Sequence, residues 1–203
     1  MTLATDNKYR FSFTAASLMV SELVGLSCKL VEFGAEVSSL TSDDLKRERT
    51  ITNKRMLQEV KMRLTTLSRM EMKFLAEAKF EERKLLCLIA FGRTYDFFRD
   101  FVEEVMVEKV SLFDFQLTDR DYFAFVNRKQ IDHEELEQLA DSTKKKVKQI
   151  VFRVMEQAGI IDSTENKNIL VPHIGRSFEK VICDTNPNDL KLLLYTEQRI
   201  AAI

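Results

Sequence analysis

The chain has 203 residues, enough for one domain or two small ones, and it contains only two prolines and five glycines. Average usage would give roughly ten prolines and fourteen glycines, so the composition excludes a collagen-like chain and argues against disordered and turn-rich all-β classes. Because 45% of the residues are apolar, the chain can bury a substantial core. The net charge of −1 by itself predicts no nucleic-acid partner.

The charges are distributed unevenly along the sequence. Residues 46–73 carry nine basic and three acidic side chains, a net charge of +6. Residues 96–141 carry five basic and thirteen acidic side chains, a net charge of −8, and residues 142–161 return to +4. A binding partner meets the local potential rather than the total charge. The alternation therefore predicts separate basic and acidic surfaces.

The first half of the chain predicts helices. Thr14 to Phe33 forms one helix, closed by Gly34, and a short helix covers Ala35 to Leu45. Thr50 or Thr52 can cap the next helix, in which Leu57, Val60, Leu64 and Leu67 form an apolar stripe.

That third helix lies in the first basic segment and provides a possible nucleic-acid contact. A short helix, a polar turn and a basic helix are typical of a helix-turn-helix, although a short α-hairpin has the same pattern. The candidate DNA-binding residues here are Lys54, Arg55, Lys61 and Arg63.

The acidic stretch follows a helix that is apolar almost all round, Leu85 to Ala90. The next helix carries a band of acidic side chains: Asp96, Asp100, Glu103, Glu104 and Glu108. A solvated helix face is the simplest interpretation of this band, and a docking surface for another protein is the alternative.

The second half has the element order of a winged helix-turn-helix. Thr118 and Asp121 open one helix as a capping-box-like pair, and a second, short helix runs from Asp132 to near Ala140. Ser142 caps a third helix. It is ended by Gly159 and followed by two β-favouring runs, 160–161 and 169–171, around a polar tip.

These elements predict a mainly α protein with a helical N-terminal domain over residues 1–112. A winged helix-turn-helix-like domain with a small β-hairpin and a C-terminal helical extension then covers 113–203. The boundary falls near residues 111–117.

The third helix of the second half is the stronger candidate for DNA binding. Three consecutive lysines in a first helical turn oppose the helix dipole at a cost of about 0.3–1 kcal/mol each, and a bound anion would turn this repulsion into attraction. An ordinary solvated lysine run is the alternative. Phe152 is predicted to face outward beside the basic residues, because the buried stripe of this helix is formed by Val147, Ile150, Val151, Val154 and Ala158. The candidate contacts are Thr143, Lys144, Lys145, Lys146, Lys148, Gln149 and Arg153, with Lys167 from the polar tip.

Signals for other classes of protein are weak. His133 and His173, the only histidines, are forty residues apart, and no phosphate-binding loop, zinc-protease or nucleophile-elbow motif occurs. Three scattered cysteines predict neither disulfides nor a zinc site and favour the cytoplasm. No leader sequence is recognised, and the longest apolar stretch falls far short of the ~20 residues of a membrane helix. We expect a cytoplasmic protein without catalytic residues, metal, cofactor, membrane contact or small-molecule substrate.

Several segments, taken in their order and spacing, resemble one family. They are Tyr9–Leu18, Leu75–Glu77, Glu82–Leu86, Tyr95–Phe98, and Ser142–Lys146 leading to Met155–Gly159. In this pattern the chain resembles BrxA, a small component of BREX bacteriophage-defence systems. The resemblance implies a helical, non-enzymatic protein that binds double-stranded DNA and acts beside the methyltransferase and ATPases of the same system.

We therefore expect duplex DNA to be the partner, bound with little sequence preference mainly through phosphate contacts. Other BREX proteins are further possible partners. Two alternatives stay open: an adaptor that docks defence proteins on the acidic band of Asp96 to Glu108, and an RNA-binding protein that uses the same helical surface.

Overall fold

Eleven α-helices follow one another within residues 8–15, 17–45 and 50–203, which are the residues that the computed structural model describes. They are α1 Val20–Phe33, α2 Thr50–Thr65, α3 Arg69–Glu77, α4 Phe80–Thr94, α5 Asp96–Phe101, α6 Val107–Ser111, α7 Asp119–Lys129, α8 Glu134–Glu137, α9 Asp141–Ala158, α10 Arg176–Cys183 and α11 Glu197–Ala201. A π-helical turn, Val102–Met106, joins α5 to α6. Short 3₁₀ helices cover Ser12–Ala15, Val37–Ser39, Ser42–Leu45 and Pro187–Leu193. The predicted mainly α class is confirmed.

The N-terminal helix is shorter than its pattern predicts. Ser12–Ala15 forms a 3₁₀ turn, and α1 begins only after Met19, whose left-handed φ of 59° interrupts the helical path. The predicted end is confirmed: Gly34 has φ 60°, and its N–H reaches the carbonyls of the last helical turn. Residues 35–45 hold two 3₁₀ turns instead of one short helix.

Helix α2 carries the first basic segment and buries the predicted apolar stripe. Val60, Leu64 and Leu67 are buried, and Leu57 packs partly buried against the core. Residues 46–49 of the basic segment lie outside the described residues, as do the side chains of Thr50 and Thr52, the predicted caps.

Helix α4 is the centre of the molecule. Every residue from Leu85 to Gly92 is buried, as the all-round apolar pattern predicts. Helices α1, α2, α3 and α9 pack around it, together with the C-terminal 3₁₀ helix Pro187–Leu193. The sequence leaves the structure of 190–195 undecided; these residues form the end of that 3₁₀ helix and the following turn, and all but Lys191 are buried.

An aromatic cluster joins the two halves of the chain in one core. The ring of Phe101 meets Tyr122 and Phe125 edge-on, with ring centroids 5.5 and 5.2 Å apart. The ring of Tyr9 stacks on His133 at 3.7 Å, and the Tyr9 N–H donates to a carboxylate oxygen of Glu135 at 2.6 Å. The extended N-terminal segment is thereby fastened to the second half.

The helices of the second half begin and end largely where the sequence predicts. Thr118 and Asp121 form a full capping box at the start of α7. Helix α8 is a single turn, Glu134–Glu137. Helix α9 begins at Asp141, one residue before the predicted cap Ser142, and no side chain caps it. Gly159, with φ 80°, ends α9 as predicted.

The two β-favouring runs lie antiparallel but pair only briefly. Ile161 and Ile169 form one isolated bridge, and Gln116 pairs with Asn168 in a second. The N–H of Leu170 donates to the carbonyl of Ile160 at 3.0 Å. Within the described part of the chain these bridges do not extend into strands, so a short loop, residues 162–168, projects beside α9.

The C-terminal 3₁₀ helix is fixed by buried charges. Asp189 is fully buried and accepts from Arg93 at 2.8 Å and from Arg99 at 2.5 Å. Arg93 also pairs with buried Glu71 at 2.7 Å.

In the described ranges, no helix is both long and apolar enough to cross a bilayer.

Candidate nucleic-acid interface

A cationic cleft of about 300 Å³ lies between α9 and the loop 162–168. We call it the α9 cleft. Four of its side chains are cations and one is an acid. The lining residues are Asp119, Lys145, Lys148, Gln149, Phe152, Arg153, Thr164 and Lys167. All but Asp119, Phe152 and Thr164 are among the predicted DNA contacts.

The remaining predicted residues of α9, Thr143, Lys144 and Lys146, do not line this cleft. Lys145, Lys146 and Arg153 are exposed, whereas Thr143 and Lys144 are half-buried. The ammonium of Lys144 donates to the carbonyl of Glu137 at 3.1 Å, and that of Lys146 donates to Gln149 at 3.1 Å. Among the described residues, no carboxylate pairs with Lys145 or Arg153. These two cations are available to an anionic partner.

Asp119 is the acid of the α9 cleft and contacts two of its lysines. One carboxylate oxygen lies 2.7 Å from the Lys148 ammonium, and the other lies 3.4 Å from that of Lys167. The hydrogen bond from Lys148 and the charges of both lysines hold the pKa of Asp119 below its ordinary value, against the effect of partial burial. The first residue of α7 is thus tied to α9 and to the projecting loop.

Lys167 reaches this cleft through an unusual backbone conformation. Its φ is 61°, in the left-handed region, and its N–H donates to the carbonyl of Ser163 at 3.0 Å. The side chain folds back so that the ammonium lies 5.5 Å from the centroid of the Phe152 ring. A residue at the tip of the loop therefore contributes its charge to the cleft.

Two details of the predicted α9 surface are wrong. Phe152, predicted to face outward, is buried and packs against Tyr122. Because α9 starts at Asp141, its first turn holds that acid and only one lysine, Lys144, so the predicted run of three lysines against the helix dipole is not present there. Positive charge is instead concentrated in the α9 cleft, which is lined by Lys145, Lys148, Arg153 and Lys167.

The first basic segment lines a larger open cleft of about 550 Å³ beside α2. We call it the α2 cleft. Arg10, Lys54 and Lys61 lie on it, together with Arg93, and none of the lining residues that the structure describes is acidic. Lys54 and Arg55 are exposed, and the Lys61 ammonium donates to the carbonyl of Ser38 at 3.0 Å. Sequence spacing could not find Arg10, because Arg10 reaches α2 only through the folded path of the N-terminal segment.

The prediction that Arg63 contacts DNA is wrong. Its side chain is fully buried, and its guanidinium donates to the carbonyl oxygen of Ser17 at 2.6 Å. It also lies over the aromatic rings of Phe91 and Tyr95. Arg63 is a core residue, because the helical spacing from Val60 places it on the buried stripe of α2.

Two acids of the acidic band, Asp100 and Glu104, are paired with other side chains of the protein. Asp100 accepts from the Tyr9 hydroxyl and the Lys129 ammonium, both at 2.6 Å, and Glu104 accepts from Arg128 and Lys129 at 3.0 and 2.5 Å. Partial burial would lower the pKa of Lys129, but its bonds to the two carboxylates raise it. These acids therefore hold the first half against α7. Asp96 and Glu108 are exposed.

The fold and these surfaces define a mainly helical protein with two separate cationic clefts. The sequence model of the BrxA family matches residues 7–186, and the chain belongs to that family. The crystal structure of an uncharacterized protein from Magnetospirillum magneticum has the same fold, with a TM-score of 0.74. It is 15% identical, and the alignment covers 92% of this chain and 98% of that one. No curated protein matches the chain.

Proposed function

We propose that this chain is a non-enzymatic, double-stranded-DNA-binding component of a BREX-type phage-defence system. Its membership of the BrxA family supports the role in defence. The α9 cleft supports the contact with DNA, since phosphate groups are the most accessible anions of a duplex and supply most of the non-specific affinity.

The element order of the second half supports a winged helix-turn-helix arrangement. Helix α7, the short α8 and the long α9 are followed by the antiparallel loop, and Gln116 pairs with the returning side of that loop at Asn168. In such an arrangement α9 is the recognition helix and residues 162–168 are the wing. Asn166 and Lys167 then lie at the tip, where a wing meets phosphate or the minor groove.

One observation carries the proposal: unpaired cations of α9 and a lysine of the wing converge on a single cleft. Lys145 and Arg153 come from α9, and Lys167 comes from the wing. A phosphate group between helix and wing would meet ammonium and guanidinium groups from two elements at once. Arginine can bind such a group with two parallel hydrogen bonds.

The α2 cleft is the proposed second contact. Arg10, Lys54 and Lys61 lie on it, and its described lining residues include no acid, which favours a positive local potential. Phosphate contacts on two faces of the molecule would let one chain engage a long duplex over more than one binding surface, or join two duplex segments.

Binding of duplex DNA measured against salt concentration tests the proposal. Lys145→Glu with Arg153→Glu should reduce the salt slope of log K by about two, because each lost phosphate contact removes about 0.9 from that slope. The matched control reverses two exposed cations of α10, Arg176→Glu with Lys180→Glu, and should leave the slope unchanged. A cleft variant that binds DNA with an unchanged slope would exclude this surface.

Competition between nucleic acids separates duplex DNA from the RNA alternative. A duplex DNA and a duplex RNA of equal length should compete unequally, with DNA preferred, because a helix cannot enter the deep, narrow groove of A-form RNA. Stronger competition by RNA would contradict the proposal and favour an RNA-binding function.

A further inference from the structure

Asp119 supplies the carboxylate of the α9 cleft. Its two oxygens separately contact the ammonium groups of Lys148 and Lys167, at 2.7 and 3.4 Å. A phosphodiester also offers two anionic oxygens with a single negative charge. The carboxylate therefore satisfies both lysines in the same way that one DNA phosphate would.

The lysines are held ready in this position by other contacts. The Lys148 ammonium lies 4.6 Å from the centroid of the Phe123 ring, and that of Lys167 lies 5.5 Å from that of Phe152. Both lysine side chains are mostly buried, with 24% and 16% of their surface exposed, whereas 52% of the Asp119 side chain is exposed. The two ammonium groups are held by the aromatic rings beneath them. The more exposed carboxylate lies on the solvent side, from which DNA would approach.

We propose that Asp119 is an internal competitor of DNA phosphate for Lys148 and Lys167. This inference rests on the proposed function of the α9 cleft and adds a means of regulating it. Without DNA, the carboxylate neutralises part of the cleft and holds wing, α7 and α9 together. When DNA binds, a phosphate displaces the carboxylate from the two ammonium groups, so affinity is limited and release is eased.

A purely structural role for Asp119 predicts the opposite effect of removing its charge. Asp119 is also the first residue of α7, where an acid stabilises a helix through the helix dipole. If the carboxylate served only to stabilise the helix and hold the wing, neutralising it would loosen the cleft and weaken the binding of DNA.

The experiment compares Asp119→Asn with the unmodified chain in titrations of duplex DNA over a range of salt concentrations. We expect Asp119→Asn to bind about threefold more tightly at low salt, the size typical of a partly exposed ion pair. The salt slope should become steeper by about one, since one more positive charge of the cleft is left to bind phosphate.

Asp114→Asn is the matched control. The Asp114 side chain is equally exposed, at 52%, and pairs with Lys109 outside the cleft. Its neutralisation changes the net charge of the protein by the same amount, so it should leave the affinity and the slope unchanged. An equal gain in both variants would mean that only net charge matters and would overturn the inference.

The other outcomes separate the inference from the proposed function. Unchanged or weaker binding by a folded Asp119→Asn protein, with normal binding by the unmodified chain, overturns the inference alone. If the unmodified chain does not bind duplex DNA at low salt, the proposed function and the inference fall together. Thermal unfolding of each variant establishes that it is folded.

Discussion

The guanidinium of Arg63 lies 4.7 Å from the centroid of the Phe91 ring, within the core of the protein. Its Nη1 donates to the carbonyl oxygens of Ser17 and Leu18, at 2.6 and 3.2 Å. Those carbonyls belong to the non-helical stretch before α1, which has no intrahelical donors for them. One arginine of α2 thus fixes the path of the N-terminal segment across the core.

Replacing Arg63 with alanine should destabilise the protein strongly. The change leaves two carbonyls and the neighbouring Glu59 carboxylate without their buried partner, and such losses typically cost about 3–5 kcal/mol. Chemical denaturation measures the free energy of unfolding. Arg55→Ala, at an exposed position of the same helix, should change it by less than about 0.5 kcal/mol. Equal effects at the two positions would contradict the buried placement of Arg63.

Gly92 should be intolerant of a methyl group. A Cβ at this position would lie 2.6 Å from both δ-carbons of Leu192, so Gly92→Ala must displace the fully buried Leu192 side chain. We expect a net cost of about 1 kcal/mol or more, since overpacking costs about 1–3 kcal/mol and outweighs the gain in helix propensity. Gly25→Ala gains the same propensity in α1 but meets no atom within 4 Å, and it should stabilise the protein. Thermal melts of both variants measure the cost of the steric clash. Equal shifts of the two melting temperatures would mean that no clash occurs at Gly92.

Lys129 should contribute more to stability than its neighbour Arg128. The Lys129 ammonium, on a side chain only 16% exposed, pairs with both Asp100 and Glu104. The 56% exposed Arg128 pairs with one carboxylate among the described residues, that of Glu104. Lys129→Ala should lower the free energy of unfolding by about 1–2 kcal/mol, and Arg128→Ala by less than about 0.5 kcal/mol. Urea denaturation of the two variants makes the comparison. The reverse order would show that these acids do not fasten the two halves.

Glu135 should make the stability depend on acidic pH. Burial alone would raise the pKa of this carboxyl, but the N–H of Tyr9 and the contact with His133 lower it below its ordinary value of 4.5. A group with a lowered pKa in the folded state stabilises the protein above its ordinary pKa, and this stabilisation is lost as the pH falls.

Glu135→Gln should therefore flatten the dependence of the unfolding free energy on pH below about 5. The exposed Glu134→Gln, in the same helical turn, serves as the control and should leave that dependence as it is. Denaturation series at several pH values between about 3 and 6 provide the measurement. A slope that Glu135→Gln does not change would show that the Tyr9 contact makes no difference to the titration.

Local signals in the sequence account for most of what could be predicted. The capping box of Thr118 and Asp121 and the positive φ of Gly159 depend on residues within one turn, so their residue types reveal them. The buried length of α4 follows from its apolar pattern alone. Even Arg63 carried a signal, because it lies three residues after Val60 and four before Leu67 on the buried stripe; its charge masked that spacing.

What the sequence could not predict depends on distant parts of the chain. Arg10 joins α2 across a separation of about fifty residues, and Asp119 meets Lys167, forty-eight positions further along the chain. The bridge between Gln116 and Asn168 likewise joins residues about fifty positions apart. Periodicity describes one element at a time, and these relationships exist only between elements.

The aromatic contacts between the two halves of the chain constrain how the protein can evolve. Phe101 contacts Tyr122 and Phe125 across the connection 111–117, where the sequence predicts a domain boundary. A fragment starting there would expose these aromatic rings to solvent and would aggregate. The two halves must therefore be inherited together, and neither can be exchanged for a foreign module without remaking the other's inner surface.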